Sequence, residues 1–167
     1  GLRSREMENI LQEARKLAQG GVKELILVAQ DTTLYGTDIY GMPMLPQLLE
    51  KLCEIEGLKW IRLLYCYPEH ITDDLLYVMA SQEKIVKYMD IPIQHVSKKV
   101  LKAMNRPGDY ETLKSKITQI RNAVPGIVLR TTVMTGFPGE GEAEFDELCR
   151  FLNEMRFERL GCFAFSP

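Results

Sequence analysis

IVLRTTVMTGFPGE, residues Ile127 to Glu140, decides how this chain is read. Its first half alternates as a strand does. Ile127, Leu129, Thr131 and Val133 fall on one side, suited to packing under outer helices, while Arg130 and Thr132 fall on the other. A charged side chain on an inward face needs a partner, either a ligand or a carboxylate of the fold. The second half is a turn. Gly136 and Gly139 beside Pro138 let the backbone bend tightly and approach a ligand, and Glu140, Glu142 and Glu144 suit the amino end of a helix. Residue types alone also allow a plainer reading, an ordinary strand-to-helix turn whose arginine meets a structural carboxylate.

Working outward, strand and helix patterns alternate along the chain. Ser4 is placed to cap a helix whose apolar stripe is Met7, Ile10, Leu11, Ala14, Leu17 and Ala18, and Gly20 and Gly21 stop it. Val22 to Gln30 follows as a strand, its apolar run expected to be buried on both faces. A polar loop, Gln30 to Gly36, leaves its carboxyl end. Pro46 opens a helix with Leu45, Leu48, Leu49, Leu52 and Ile55 toward the core, closed by Gly57. Leu58 to Cys66 is the next strand, Thr72 caps a helix carrying Leu75, Leu76 and Met79, and Ile85 to Ile93 is a third strand. On that strand Tyr88, Asp90 and Gln94 share the inward face. Two short helices, from Ser97 and Asp109, lead back to the opening strand. A helix through Phe145 and Leu152 then leads to a last strand, Arg159 to Phe165. Five strands alternating with helices imply an α/β fold of mostly parallel strands joined by right-handed crossovers. A closed eight-stranded barrel takes about 250 residues, so 167 residues favour a partial (β/α) barrel or an open sheet.

A single domain of this size buries about 70% of the surface its unfolded chain exposes, so no disulfide or metal staple is required. The net charge of −2 and an isoelectric point near 5.8 carry no basic footprint for wrapping nucleic acid. No run of 18 apolar residues and no signal-like amino end occurs, so a soluble cytoplasmic protein without membrane contact is expected. Cys53, Cys66, Cys149 and Cys162 form no C-x2-C or C-x3-C cluster, so none is expected to bind metal.

Polar residues gather at the carboxyl ends of three strands, where α/β folds hold ligands: Gln30 with Asp31, Gln94 with His95, and Arg130 with the turn at Gly136. These groups suit a ligand carrying an ammonium for amide oxygens, a carboxylate for Arg130 and an apolar base for the glycine turn. S-adenosylmethionine has all three, but residue types do not single it out from other nucleotide-like ligands. Neither His70 nor His95 has a serine or cysteine partner by spacing, so no catalytic side chain is assigned.

Three stretches carry a family resemblance: AQDTTLYG (Ala29 to Gly36), IPIQHVSKKVLKAMNR (Ile91 to Arg106) and LRTTVMTGFPGE (Leu129 to Glu140). Together they resemble the radical SAM methylthiotransferases, over nearly the whole chain. The details are most similar to the bacterial enzymes that methylthiolate an aspartate of a small-subunit ribosomal protein. Relatives acting on tRNA adenosine usually have asparagine where Asp31 stands and serine where His95 stands. The resemblance implies a partial barrel of six strands, of which five are counted here. It also implies a [4Fe-4S] cluster that reduces S-adenosylmethionine to a hydrogen-abstracting radical. The family's C-x3-C-x2-C motif is absent, so residues 1–167 are expected to be a catalytic-domain fragment lacking the cluster-binding loop and first strand. The start at Gly1 agrees with that, with GLRSR (Gly1 to Arg5) just after the cluster cysteines. By resemblance, Gln30, Gln94, Arg130, Thr132, Thr135 and Gly136 hold S-adenosylmethionine, and Asp31, Thr33 and Tyr35 face substrate. The implied substrate is a ribosomal protein. Two other readings stay open: a tRNA-modifying relative, and a catalytically silent barrel that binds a ligand or partner.

Overall fold

The computed structural model describes residues 1–166. Helix α1 (Met7–Gln19) buries Leu11, Ala14 and Ala18 and stops at Gly20, with Gly21 in the left-handed region. Ser4 does not cap it. The helix starts after Glu6 without a side-chain cap, because the Ser4 hydroxyl accepts from the Gly36 N–H at 2.9 Å instead. Strand β1 (Glu24–Leu27) leads through a single turn at Thr32–Leu34 and a short helix α2 (Thr37–Tyr40) to α3 (Leu45–Cys53). Pro46 sits in the first turn of α3, where a missing N–H costs nothing. Leu45, Leu48, Leu49 and Leu52 are buried, each contributing about 1.5–3 kcal/mol.

Strand β2 (Trp60–Leu63) is followed by α4 (Asp73–Ser81), whose Thr72 side chain accepts from the Leu75 N–H. Strand β3 (Tyr88–Asp90) precedes α5 (Lys98–Ala103) and α6 (Tyr110–Ala123). The latter spans 14 residues rather than being short, because Asp109 and Thr112 close a reciprocal cap at its start and Leu113, Ile117 and Ile120 keep one face buried. Strand β4 (Val128–Thr135), helix α7 (Glu142–Met155) and strand β5 (Arg159–Ala164) complete the chain.

The five strands of the described residues are parallel. Glu24 stands opposite Trp60 where β1 pairs with β2. Tyr88 stands opposite Val128 and Arg130 opposite Arg159 across β3, β4 and β5. Between β2 and β3 the ladder thins to a seam: an Ile61–Ile85 bridge, with Val86 N–H on the Ile61 carbonyl at 2.9 Å and Cys66 N–H on the Asp90 carbonyl at 2.8 Å. The strands therefore stand in chain order, the arrangement of a partial (β/α) barrel. Pro92 has no N–H to give β4. Buried Thr131 supports that gap, its hydroxyl donating to the Ile91 carbonyl at 2.7 Å.

The alternation expected of β4 holds, with Ile127, Leu129, Thr131 and Val133 buried. The first strand differs. It is shorter than Val22 to Gln30 and is not covered on both faces: Ile26 is 49% and Val28 63% exposed. Strand β1 pairs on one side only, and its open flank lies along a cavity of about 420 Å³. Among the cysteines, Cys53 and Cys149 are half-buried, Cys162 is exposed on β5 and Cys66 is buried.

Candidate functional site

The carboxyl ends of the strands form an open mouth, and its best-built wall is the turn after β4. Gly136 has φ +76° and open space where a Cβ would stand, so a flat ligand can approach its backbone. The turn is held from below. Glu140 does not join the helix, which starts at Glu142. Its carboxylate accepts from the Gly136 N–H at 2.9 Å and lies 2.9 Å from His95 Nε2. His95 is fully buried, and the Ser97 N–H donates to its Nδ1 at 3.0 Å. A ring with Nδ1 accepting carries its proton on Nε2, so His95 donates to Glu140. His95 is thus a positioning residue beneath the turn.

Gln94 precedes it with φ +66°. Its N–H donates to the Thr132 carbonyl at 2.9 Å and its carbonyl accepts from Met134 N–H at 2.8 Å. The pleat is thereby reset at the strand end, with the side chain half-buried at the rim. Arg130 meets the inward carboxylate expected for it: Nη1 donates to Asp90 Oδ1 at 3.0 Å and contacts Thr132 Oγ1 at 3.2 Å. The Asp90 side chain is only 4% exposed against 35% for Arg130. The guanidinium therefore compensates a buried charge and still shows an edge to the mouth. Across β5, Gly161 leaves room for it, a Cβ there lying 3.4 Å from Arg130 Nη2. Arg130, Gln94, Thr132, Thr135 and Gly136 thus share one side of the mouth, and Gln30 is exposed beyond β1 on the other.

The trio expected to face substrate is hydrogen-bonded within the fold. Thr33 is buried, its N–H donating to Asp31 Oδ1 at 3.0 Å and its hydroxyl to the same oxygen; it presents nothing to a substrate. Asp31 is also nearly buried, because its other oxygen takes His70 Nδ1 at 2.6 Å. Tyr35 donates to the Arg5 carbonyl at 2.9 Å. Desolvation by burial raises its pKa above the ordinary tyrosine value. Around it Ser4 N–H meets Asp38 at 2.7 Å and Met7 N–H meets Tyr40 Oη at 2.8 Å. Gly36, at φ +90°, allows this fit, since a Cβ would stand 2.9 Å from Met44. This loop is a clasp on residues 4–7. Sequence spacing offered no sign of the Asp31–His70 pair, which spans 39 residues, or of the clasp.

Among the described residues no three His, Cys, Asp or Glu side chains are grouped to hold a metal ion. Burial pushes the Cys66 thiol up to about 12, unsuited to a thiolate ligand. The donors of an iron–sulfur cluster do not fit the residues present. The polar groups and open glycine wall beside β4 do fit a zwitterionic nucleoside such as S-adenosylmethionine.

A family model described as the radical SAM superfamily matches residues 1–152. The chain belongs to that superfamily. Ribosomal protein uS12 methylthiotransferase RimO of Alkaliphilus oremlandii is 55% identical over 163 residues, 98% of this chain and 37% of that protein. Its counterpart in Caldanaerobacter subterraneus subsp. tengcongensis is 56% identical over 164 residues. The chain spans 37% of the length of these curated relatives. Among solved structures, the radical S-adenosylmethionine methyltransferase TsrM of Kitasatospora setae, with cobalamin and a [4Fe-4S] cluster bound, superposes with a TM-score of 0.73 at 15% identity. That match covers 96% of this chain and 31% of TsrM. Coproporphyrinogen III oxidase HemN of Escherichia coli gives 0.69 at 16%, over 99% of this chain and 39% of HemN. Both likenesses show the radical SAM fold. No helix is long and apolar enough to cross a membrane among the described residues.

Proposed function

We propose that this chain is the catalytic barrel of a methylthiotransferase that adds a methylthio group to an aspartate of ribosomal protein uS12. The reading rests on one observation, identity of 51–56% across 98% of the chain to methylthiotransferases of that protein. S-adenosylmethionine and a [4Fe-4S] cluster, when bound, supply one-electron chemistry at an unactivated carbon. This chain's residues bind and orient the cofactor. Arg130 and Gln94 take its carboxylate and ribose end, Gln30 its amino-acid end, Thr132 and Thr135 its polar edges, and the backbone at Gly136 its adenine. His95 and Glu140 keep that backbone in place. The cluster's ligands are assigned to residues outside this chain. Asp31 and Tyr35 hold the mouth together and do not touch the reacting atoms.

The test is an anaerobic assay of the full-length reconstituted protein with uS12 and, in parallel, tRNA. Mass spectrometry is expected to find the methylthio group on a uS12 aspartate; modification of tRNA alone would overturn the reading. Calorimetry tests the cofactor wall separately. Arg130→Lys is expected to weaken S-adenosylmethionine binding about tenfold, since an ammonium cannot make a fork's paired bonds. An unchanged Kd would leave Arg130 as the partner of Asp90 only.

A further inference from the structure

Four residues other than glycine hold a positive φ among the described residues: Tyr65 at 57°, Gln94 at 66°, Asn105 at 56° and Arg156 at 50°. Asn105 and Arg156 lie at the ends of α5 and α7, where a left-handed residue is an ordinary stop. Tyr65 and Gln94 end no helix. They follow β2 and β3, neighbouring strands, so both stand on the rim of the mouth. A bulky aromatic in this region is an outlier that the surroundings must impose. Here Thr32 braces it, its N–H donating to the Tyr65 carbonyl at 3.1 Å and its hydroxyl lying 3.0 Å from the Leu64 carbonyl and 3.3 Å from that of Tyr65. The effect is to leave the ring 43% exposed.

The loop that Tyr65 begins, YCYPEH, alternates in its burial. Cys66 and Pro68 are buried anchors, whereas Tyr65, Tyr67, Glu69 and His70 are half-buried or exposed. The Arg106 guanidinium lies 4.5 Å from the centre of the Tyr67 ring. It has no carboxylate partner among the described residues. His70 lies parallel to Tyr67, with ring centres 6.4 Å apart. Asp31 holds its Nδ1, so Nε2 is the free ring nitrogen and donates when the ring carries both protons. A guanidinium and an imidazole edge are therefore gathered around the Tyr67 ring, two residues along the loop from the exposed Tyr65.

We propose that the loop Tyr65–His70 together with Arg106 receives the acidic side chain of the protein substrate. This rests on the protein-substrate reading above. A carboxylate matches the Arg106 fork, and Tyr65 supplies an adjoining flat wall. A phosphate backbone fits less well: a polyanion needs several cations, whereas one guanidinium stands here beside a loop that itself carries the exposed carboxylate Glu69.

Fluorescence anisotropy on the full-length, cluster-loaded protein tests this with two labelled probes, a uS12 peptide carrying the target aspartate and the same peptide with asparagine. The wild type is expected to prefer the aspartate peptide. Arg106→Gln is expected to lose at least about tenfold on that peptide and little on the asparagine one, with partial recovery in Arg106→Lys. Tyr65→Gly relieves the left-handed strain, so it is expected to keep or raise the melting temperature while weakening both peptides. In neither variant should the Kd for S-adenosylmethionine change. Equal losses on both peptides in Arg106→Gln, or weakened S-adenosylmethionine binding in Tyr65→Gly, would overturn the inference while leaving the proposed function intact. A wild type that ignores both peptides but binds and modifies RNA would overturn both.

Discussion

The two sides of this barrel hold their strand-end loops in different ways. On the β3–β5 side, β4 lies between two partners, β3 along Val128 to Arg130 and β5 along Arg130 to Thr135, and the turn that follows is tied down by Glu140 and His95 from within the same half. On the β1–β2 side, a four-residue edge strand leaves Ile26 and Val28 exposed. Its loop spends Tyr35, Gly36, Asp38 and Tyr40 on backbone atoms of Ser4 to Met7 or on the Ser4 hydroxyl. One side is internally complete, and the other is completed by the chain entering it. Loss of a tie should therefore act on global stability in the first case and locally in the second.

The largest effect is expected at Arg130. Arg130→Ala leaves the buried Asp90 carboxylate without its cation, and breaking such a pair costs about 3 kcal/mol. Urea unfolding should show a lower midpoint with an unchanged slope. Wild-type stability would mean that the pair contributes nothing to this half. Next comes His95→Leu, which orphans one oxygen of Glu140 at a cost of about 2 kcal/mol. Hydrogen exchange should rise at Gly136 as well as across β4. Faster exchange at Gly136 alone would show that the turn is separable from the strand, and the contrast drawn above would fail.

The same contrast explains what was legible in the sequence. Strand β4 alternates cleanly because helices cover one face and polar groups line the other, so Ile127 to Val133 could be read directly, and Arg130 was marked as needing a partner. Asp90 was legible as an inward residue because β3 keeps the period of two. Strand β1 misled because an unbroken apolar run reads as burial on both faces, whereas burial of Ile26 and Val28 depends on neighbours that periodicity does not report. The internal bonds of the loop were hidden for a related reason. Asp31, Thr33 and Tyr35 are polar residues at a strand end, and only tertiary structure reveals that His70, residue 31's own neighbour Thr33 and the Arg5 carbonyl consume them. Glu140 reads in sequence as a helix-start acid, since its spacing from Glu142 and Glu144 hides its turn toward His95.

The smallest effect is expected at Tyr35. Tyr35→Phe removes one hydrogen bond to an exposed carbonyl, worth about 1 kcal/mol or less, and keeps the ring in the clasp. If the clasp is a local device, the urea midpoint should barely move while the amides of Ser4 and Met7 exchange faster. The ionisation of Tyr35 sharpens the point. Burial raises its pKa above the unfolded value of 10.0, so the folded state favours the neutral phenol. Its contribution is full below pH 10 and is lost as pH climbs toward the raised folded value. Wild-type protein should therefore loosen at Ser4 and Met7 as pH climbs past 10, and Tyr35→Phe should lack that component. If the phenylalanine variant shows the same alkaline loosening as wild type, Tyr35 does not govern the clasp; if its urea midpoint falls as far as that of Arg130→Ala, the two sides of the barrel are not held differently after all.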